Sequence, residues 1–563
     1  MRHALVHIAA LYFLTSFAAA DVGSLEQREA LFDYLLESTL GRTAFSPEKP
    51  NAIGLPAGTS MAEHVEAQFL VHRHLLVDAE TDDELYRALS ILSNVRRDTH
   101  LGVNRVDNGI TPNVSQFANG PHWSHAPLKF KPDYGDLSDP YLFVSDFSQS
   151  WRDTLDQSER PQIGDRLIAI NGQAAEDFLS EFEVYRSESS DAAMWWAMSF
   201  MVPVRVNGPF MHLYRNDNLI EFGFRRPSGE EYQLTAGFEP YDQIDWALHD
   251  NHWPFGEREG RQLRLHPDQY PDYVYVESTE TYDLFRGPNP SDPILLQWHR
   301  FPGRQLEADI EHLLDYAREN DLVAAGLIID ATMSTGGNRG AWALQRLQNQ
   351  AFVQTFGNLR NSDVTVEIAD ALAGIAQASI DEHGGREEPF VQSGVASLDT
   401  GTFLLDWINE GIRLAIAADE EYSPNAPFKA RMLPWDSDGG LTPVENALTG
   451  PLVVLLGPYG CSHIDQFAAM VIDNELGHTI GMPAGGCSNT WEYEEILTWP
   501  GTDTPIVEWQ WTIGQTIRPN GEVLEGNPAM PAEYVPMTSE NYPTYRTEIF
   551  ERARAYVQEH GGR

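Results

Sequence analysis

The spacing of apolar residues changes along the chain and predicts different kinds of structure in its first 240 residues. Between residue 21 and about residue 90, apolar residues recur at helical spacing, as in residues 25–35 and 85–92. From about 140 to 240 the pattern becomes short β-type runs, of which residues 141–144 and 166–170 are examples. We therefore predict an N-terminal helical region followed by a β module.

The second half of the chain alternates between apolar runs and amphipathic segments, which predicts an α/β core. Continuous apolar runs are typical of strands that are buried on both faces of a parallel sheet. Residues 360–440 interrupt this alternation and are predicted to be an insertion. The predicted strands are 294–296, 324–330 and 451–456, and the predicted helices are 306–316, 342–350 and 464–474.

The first twenty residues have the features of a secretory signal. Arg2 and His3 precede an apolar run over residues 4–17, and Ala18-Ala19-Ala20 forms an A-x-A cleavage site before Asp21. A buried N-terminal helix is the alternative. No later apolar run approaches the roughly 18–20 residues that a membrane span needs. We expect a mature protein outside the cytoplasm.

Charge excludes some classes of partner. The 563 residues include 83 Asp and Glu against 38 Lys and Arg, which gives a formal net charge of −45. Such a surface repels phosphate backbones and anionic lipids, so nucleic acid and membrane surfaces are disfavoured as partners. The length predicts two or three domains.

Ser462 is the candidate nucleophile. It follows the predicted strand 451–456 and a glycine-containing turn, and it precedes a predicted helix. Backbone N–H groups at a helix start favour a developing negative charge. The alternative is that Ser462 only caps the helix.

The chain has two cysteines, Cys461 and Cys487. An even pair in an exported protein predicts a disulfide, although a reactive Cys461 thiolate is an alternative. The sequence contains neither a CxxC pair nor an HExxH motif, so no zinc site is expected.

Several motifs in one order resemble the C-terminal-processing (tail-specific) peptidase family. They are the strand ending at Asp330, the loop Gly336-Gly337-Asn338, the strand 451–456, the segment Ser462-His463-Ile464-Asp465-Gln466-Phe467-Ala468 and the late run 521–538. The segment 163–172, with Gly164-Asp165 and Asn171-Gly172, also resembles the signature of PDZ-like domains, which bind extended peptides by strand addition. The resemblance covers roughly residues 90–545.

The resemblance implies a general base and indicates that this base is a histidine. One branch of the family pairs serine with a downstream lysine, but this chain has no lysine after Lys429. The other branch, that of tricorn-type peptidases and the chlamydial protease-like activity factor, uses Ser, His and Glu. Its histidine lies in a D-x-H context, which matches Asp98-Thr99-His100. His100 is therefore the predicted base; Thr99 occupies the position of a positioning serine, and His463 and His478 are rival bases.

The resemblance also implies the remaining groups of the site. Glu525 matches the family's glutamate that orients the imidazole, and Glu522, three residues earlier, is the alternative acid. The backbone N–H groups of His463 and of Gly336 or Gly337 are the predicted oxyanion hole.

Together these observations predict an exported serine peptidase with a multidomain α/β fold of the ClpP/crotonase-like type in its core. We expect a polypeptide substrate and no cofactor or metal, and we leave homo-oligomerisation open. The alternatives are an esterase or amidase, and an inactive peptide- or lipid-binding protein. The predicted units are a signal peptide (1–20), a helical region carrying His100 (21–135), a PDZ-like domain (136–240), the first part of the core (241–359), the insertion (360–440) and the second part of the core with Ser462 (441–563).

Overall fold

The structure of the protein is a computed structural model. It describes residues 22–111, 123–206, 219–247, 270–382, 405–427, 439–489 and 491–561. The predicted signal peptide and Lys429 lie outside these residues. In the part of the chain that is described, no helix is long and apolar enough to cross a membrane.

Helices lie at both ends of the described part of the chain and flank the central strands. They are α1 (Leu25–Arg42), α2 (Lys49–Ala52), α3 (Met61–Val77), α4 (Asp82–Asn94), α5 (Gln149–Asp153), α6 (Ala175–Glu183), α7 (Asp191–Met201), α8 (Arg304–Glu319), α9 (Gly340–Leu347), α10 (Thr365–Glu382), α11 (Arg413–Ala417), α12 (His463–Asp473) and α13 (Tyr545–His560). A 3₁₀ turn (Tyr241–Gln243) and a π-helical turn (Trp407–Ile412) complete the set.

The strands fall into several sheets, of which three contain most of the chain's long strands. In chain order they are β1 (Val103–Asn104), β2 (Trp123–His125), β3 (Leu128–Asp133), β4 (Tyr141–Phe147), β5 (Arg166–Ile170), β6 (Gln173–Ala174), β7 (Val204–Val206), β8 (Leu219–Arg225), β9 (Glu231–Gly237), β10 (Glu239–Pro240), β11 (Val274–Ser278), β12 (Tyr282–Arg286), β13 (Ile294–Trp298), β14 (Leu327–Asp330), β15 (Phe352–Val353), β16 (Phe356–Leu359), β17 (Ala426–Pro427), β18 (Gly440–Leu441), β19 (Leu452–Leu456), β20 (His478–Gly481), β21 (Glu492–Thr498), β22 (Pro505–Thr512), β23 (Gly514–Ile517) and β24 (Glu533–Tyr534).

The central sheet has the strand order β11-β12-β13-β14-β19-β20-β24. The pairs from β13 to β24 are parallel, and β11, β12 and β13 pair antiparallel. The strands predicted at 294–296, 324–330 and 451–456 are β13, β14 and β19. The predicted parallel core is therefore present in the described chain.

Both faces of this sheet are covered at its centre, which explains why β13, β14 and β19 are almost entirely apolar. One face packs against α8, α9 and α12, and the other packs against α13. Successive side chains of a strand point to opposite faces. Accordingly Ile329 and Val454 belong to the first core, whereas Ile328 and Val453 belong to the second.

A separate antiparallel sheet has the order β3-β4-β5-β8-β9, with β6 paired to β5. Its core is completed by apolar residues of α6 and α7, such as Phe178 and Met198. This β module contains the predicted runs 141–144 and 166–170 within β4 and β5.

The N-terminal helices share one core with the predicted insertion and with the hairpin β21–β22. Ser24 and Ser60 begin α1 and α3 with capping boxes, in which a side chain at N3 returns the bond. Apolar residues of α1, α3 and α4 pack with Ile408 of the 360–440 segment and with Trp509 and Trp511. The segment that interrupts the α/β pattern is therefore packed onto the region that precedes His100.

We expect the packing of α13 on the sheet to contribute strongly to stability. Phe550 is fully buried and contacts Tyr270 and Tyr273 edge-on. Phe550→Ala should lower the free energy of unfolding by about 3–5 kcal/mol, because it removes buried area and leaves a cavity. Gln558→Ala, at an exposed site of the same helix, should change it by less than about 0.5 kcal/mol. Urea denaturation followed by circular dichroism measures both; equal effects would contradict the packing described.

Candidate active site

Ser462 lies at a strained turn between β19 and α12. Its backbone has φ 69° and ψ −122°, a region that non-glycine residues rarely adopt. Ser462 precedes the first residue of α12, but its side chain makes no capping hydrogen bond. The alternative that Ser462 acts as a helix cap therefore finds no support, and its partly exposed hydroxyl is not engaged in capping.

Gly336 leaves space beside this hydroxyl. A Cβ atom at position 336 would lie 2.3 Å from Ser462 Cβ and 2.6 Å from Ser462 Oγ. Its φ is not in the left-handed region, so the position needs glycine for space and not for conformation. The loop after β14 and the turn after β19 therefore approach each other at the candidate nucleophile.

Backbone amides surround the same point. The N of His463 lies 3.0 Å from the Cβ position of Gly336. Gly337 follows with φ 136° and packs against the carbonyl of Phe301, whose N donates to Gly336 O. The Gly336 and Gly337 N–H groups have no acceptor among the described residues. The predicted oxyanion-hole segments thus meet next to Ser462.

A loop of residues 485–489, which follows β20, is bonded to the nucleophile turn. Ser462 N donates to Cys487 O at 2.7 Å, and Gly485 N donates to Gly460 O at 2.6 Å. The predicted disulfide between Cys461 and Cys487 is present, with a Cα–Cα distance of 5.2 Å. Loop 485–489 and the turn therefore form one unit.

Asp465, in the first turn of α12, also holds this loop. Its carboxylate oxygens accept hydrogen bonds from Gly486 N at 2.9 Å and Cys487 N at 3.2 Å. Burial raises the pKa of Asp465 well above its ordinary value, against the opposite effect of these two bonds. The sequence motif contained this residue, but its role was not predicted.

His100 has an imidazole without a hydrogen-bond partner. Neither ring nitrogen makes a hydrogen bond among the described residues, and the side chain is 15% exposed. Asp98 is the carboxylate beside it: Asp98 Oδ1 accepts from His100 N at 3.0 Å and lies 3.8 Å from His100 Nδ1. The imidazole thus has one nitrogen facing an acid and the other uncommitted.

Asp98 connects His100 to loop 485–489. Its second oxygen accepts from Asn489 Nδ2 at 3.2 Å and from Thr512 Oγ1 at 2.6 Å. Burial tends to raise the pKa of Asp98, but the charges of Lys49 and His100 and these hydrogen bonds lower it below its ordinary value. Asp98 therefore carries a stabilised negative charge beside the imidazole.

Glu525, the predicted acid, lies at the same loop and bonds its backbone. It is fully buried, and it accepts from Ser488 N at 2.6 Å and from Asn489 N at 3.1 Å. Its other oxygen lies 2.5 Å from Lys49 Nζ. No hydrogen bond or ion pair joins Glu525 to His100 among the described residues. The Glu525 carboxylate bonds an ammonium and two amides, whereas Asp98 is the carboxylate that lies 3.8 Å from the His100 imidazole.

Thr99 and Glu522 lie near other groups. The backbone N and the hydroxyl oxygen of Thr99 each lie 3.4 Å from Ser189 Oγ. Glu522 is an exposed turn residue that contacts Asn527 and Arg518. In the part of the chain that the structure describes, neither side chain forms a hydrogen bond or ion pair with Ser462 or His100.

The rival histidines are engaged elsewhere. His463 Nε2 accepts from Gly340 N at 2.6 Å, at the start of α9, so this nitrogen does not face Ser462 Oγ. His478 stacks on Tyr556 at 4.3 Å, and its Nε2 lies 3.6 Å from Glu533. No group of three or more His, Cys, Asp or Glu suited to a metal ion is found in the described ranges.

Comparison with known proteins identifies the fold. No family model and no curated protein matches the sequence. The solved structure of mature CPAF is similar, with a TM-score of 0.65 and 14% identity over 96% of this chain and 99% of that chain. Mature CPAF complexed with lactacystin has a TM-score of 0.63 and 14% identity, over 95% and 98% of the two chains. These similarities confirm the multidomain α/β fold that the family resemblance implied.

The space at Gly336 gives a direct prediction. Gly336→Ala should abolish reaction of Ser462 with a fluorophosphonate probe, because the new methyl group overlaps the hydroxyl. Gly41→Ala is the control for the handling of glycine variants, since position 41 is exposed in α1 and no atom lies within 4 Å of its Cβ position. Labelling of Gly336→Ala at the wild-type rate would contradict the placement of this loop.

The disulfide gives a second prediction. Removing it with Cys461→Ser and Cys487→Ser should lower the free energy of unfolding by about 3–4 kcal/mol, as closure of a loop of this length implies. It should also slow labelling of Ser462, because Cys487 O holds the Ser462 N–H. In the wild-type protein, mass spectrometry should detect alkylation of Cys461 and Cys487 only after reduction. Alkylation of both thiols without reduction would contradict the disulfide.

Proposed function

We propose that the protein is a serine peptidase in which Ser462 is the nucleophile and His100 is the general base. The observation that supports this best is the double attachment of loop 485–489. The loop bonds Ser462 N through Cys487 O and bonds Asp98, the neighbour of His100, through Asn489. Loop 485–489 thus links the turn of a strained serine to the segment of an imidazole that has no hydrogen bond among the described residues.

In the proposed first step His100 takes the proton of the Ser462 hydroxyl as the oxygen attacks the substrate carbonyl. A serine hydroxyl needs such a base to become nucleophilic. His100 then passes the proton to the leaving amine, and an acyl-serine remains. In the second step His100 activates a water molecule, which releases the acid and regenerates Ser462.

The imidazolium formed in each step needs a negative partner. Asp98 is well placed for this, since it lies 3.8 Å from Nδ1 and its charge is stabilised by Thr512 and Asn489. We propose that Asp98 carries this role and that Glu525 supports it from behind loop 485–489. A carboxylate in this role orients the base and stabilises its cation without itself taking the proton.

Negative charge also develops on the carbonyl oxygen of the substrate. The amide of His463 and one from Gly336 or Gly337 support an oxyanion hole at the N-terminus of α12, where the helix dipole adds to the stabilisation.

We propose a polypeptide substrate. The fold similarity to CPAF, whose branch of the peptidase family the sequence resembles, favours this class. The β module with its PDZ-like signature would bind an extended chain by strand addition. The disulfide fits export through a signal at residues 1–20, which we also propose.

Two other functions are tested by simple comparisons. An esterase or amidase would hydrolyse p-nitrophenyl esters but not a panel of peptides. An inactive peptide- or lipid-binding protein would not react with a fluorophosphonate at Ser462.

Labelling kinetics test the proposed pair directly. Ser462→Ala should abolish fluorophosphonate labelling and peptide hydrolysis. His100→Ala should slow both by roughly 10²–10⁴-fold, because general-base assistance is lost. His478→Ala, which alters a histidine stacked on Tyr556, should leave both rates within about twofold of wild type. Labelling of His100→Ala at the wild-type rate would overturn the assignment of the base.

A further inference from the structure

We propose that Lys49 is a positioning residue of this site, which ties Glu525 to the segment that carries His100 and balances the negative charge around the imidazole. The inference rests on the proposed function and extends it to a residue in the N-terminal region. Lys49 begins the short helix α2, which is far from the other site residues in sequence.

The contacts of Lys49 join two parts of the site. Its side chain is only 4% exposed; its Nζ lies 2.5 Å from Glu525 Oε1 and donates to Arg97 O, also at 2.5 Å. Arg97 directly precedes Asp98 and has φ 53°. The ammonium therefore bridges the carboxylate behind loop 485–489 and the backbone that turns toward His100.

The chain makes room for this lysine. Gly526, next to Glu525, has φ 71°, and a Cβ there would lie 2.7 Å from Lys49 Cα and 2.8 Å from Lys49 Cβ. A side chain at position 526 would displace α2 and with it the ammonium. The position after the acid is therefore shaped around the stem of Lys49.

Charge gives this contact a consequence for catalysis. The buried acids Asp98 and Glu525 lie on the two sides of Asn489, and a buried charge is stable only when it is paired. With Lys49 charged, the three groups carry a net charge of −1, which complements one imidazolium. The charge of Lys49 also lowers the pKa of Asp98.

Other charged groups surround the site and stay unchanged in the test below. Asp465 acts on the network through Glu525, and Arg97 is paired outward with two acids of α6 and α7. The network consists of Lys49, Asp98 and Glu525. The charged groups that face it from the elements packed against it are Arg96, Arg97, Asp465, Glu183 and Asp191.

The pH dependence of Ser462 labelling by a fluorophosphonate tests the proposal. Lys49→Met keeps the stem and removes the charge, so the uncompensated acids should favour the protonated imidazole. In a plot of labelling rate against pH, the acidic limb should then move to higher pH by roughly one unit. Glu525→Gln removes a negative charge and keeps an acceptor for the two amides, so its limb should move to lower pH. The double variant should return toward wild type.

Each outcome supports or overturns the proposal. A limb in Lys49→Met that coincides with wild type would overturn it, as would a double variant that moves further in the direction of Lys49→Met. Loss of labelling at every pH in a folded Lys49→Met protein would also overturn it, since the proposed charge balance predicts a shifted limb and not a lost one. If Lys49→Met does not fold, the downward shift of Glu525→Gln decides. Failure of the proposed function is distinct, because wild type itself would then show no labelling that depends on Ser462.

Discussion

The N–H groups of residues 486–489 donate to buried carboxylates, and this set of bonds fixes the rest of the site. Asp465 holds Gly486 and Cys487, Glu525 holds Ser488 and Asn489, and Asp98 holds the side chain of Asn489. Asp98 comes from the N-terminal region, Asp465 from the nucleophile helix and Glu525 from the late part of the chain. An unpaired amide or charge here would cost a few kcal/mol, so the loop has little freedom to move away.

This constraint links the helical N-terminal region, which carries the proposed base His100, to the turn of Ser462 in the α/β core. The region is anchored by its own core with Trp509 and Trp511, and by Arg97, which pairs with Glu183 and Asp191 of the β module. The N-terminal helical core, the β module and the α/β core therefore meet at residues 97–100. Rigid support from several elements is what a catalytic geometry requires.

Local sequence predicted the parts of the fold whose signal is local. Continuous apolar runs predicted β13, β14 and β19, and an even pair of cysteines together with the predicted export signal predicted the disulfide. The hairpin β21–β22 was absent from the predicted elements, since β21 is mostly exposed and has a weak apolar signal. The partners of Asp98 could not be predicted, because Asn489 and Thr512 are about 400 positions away in sequence and are brought close only by the tertiary fold.

The dependence on tertiary contacts also explains which features of the site the sequence did not predict. Family motifs led to Ser462, His100 and Glu525. No motif marks Lys49, whose ammonium forms an ion pair with the carboxylate of Glu525. Asp98 was part of the D-x-H motif, yet only the structure shows that its carboxylate lies 3.8 Å from the imidazole nitrogen. Burial and hydrogen bonding therefore carry the information that composition and spacing lack.

The most direct test is a crystal structure of the protein with a phosphonate covalently attached to Ser462. Our proposal predicts that His100 Nε2 lies within hydrogen-bonding distance, about 2.6–3.2 Å, of Ser462 Oγ or of the atom occupying the leaving-group position. The phosphonyl oxygen should accept from the His463 amide. A structure in which the His100 imidazole points away from the adduct, with another base in its place, would contradict the proposal.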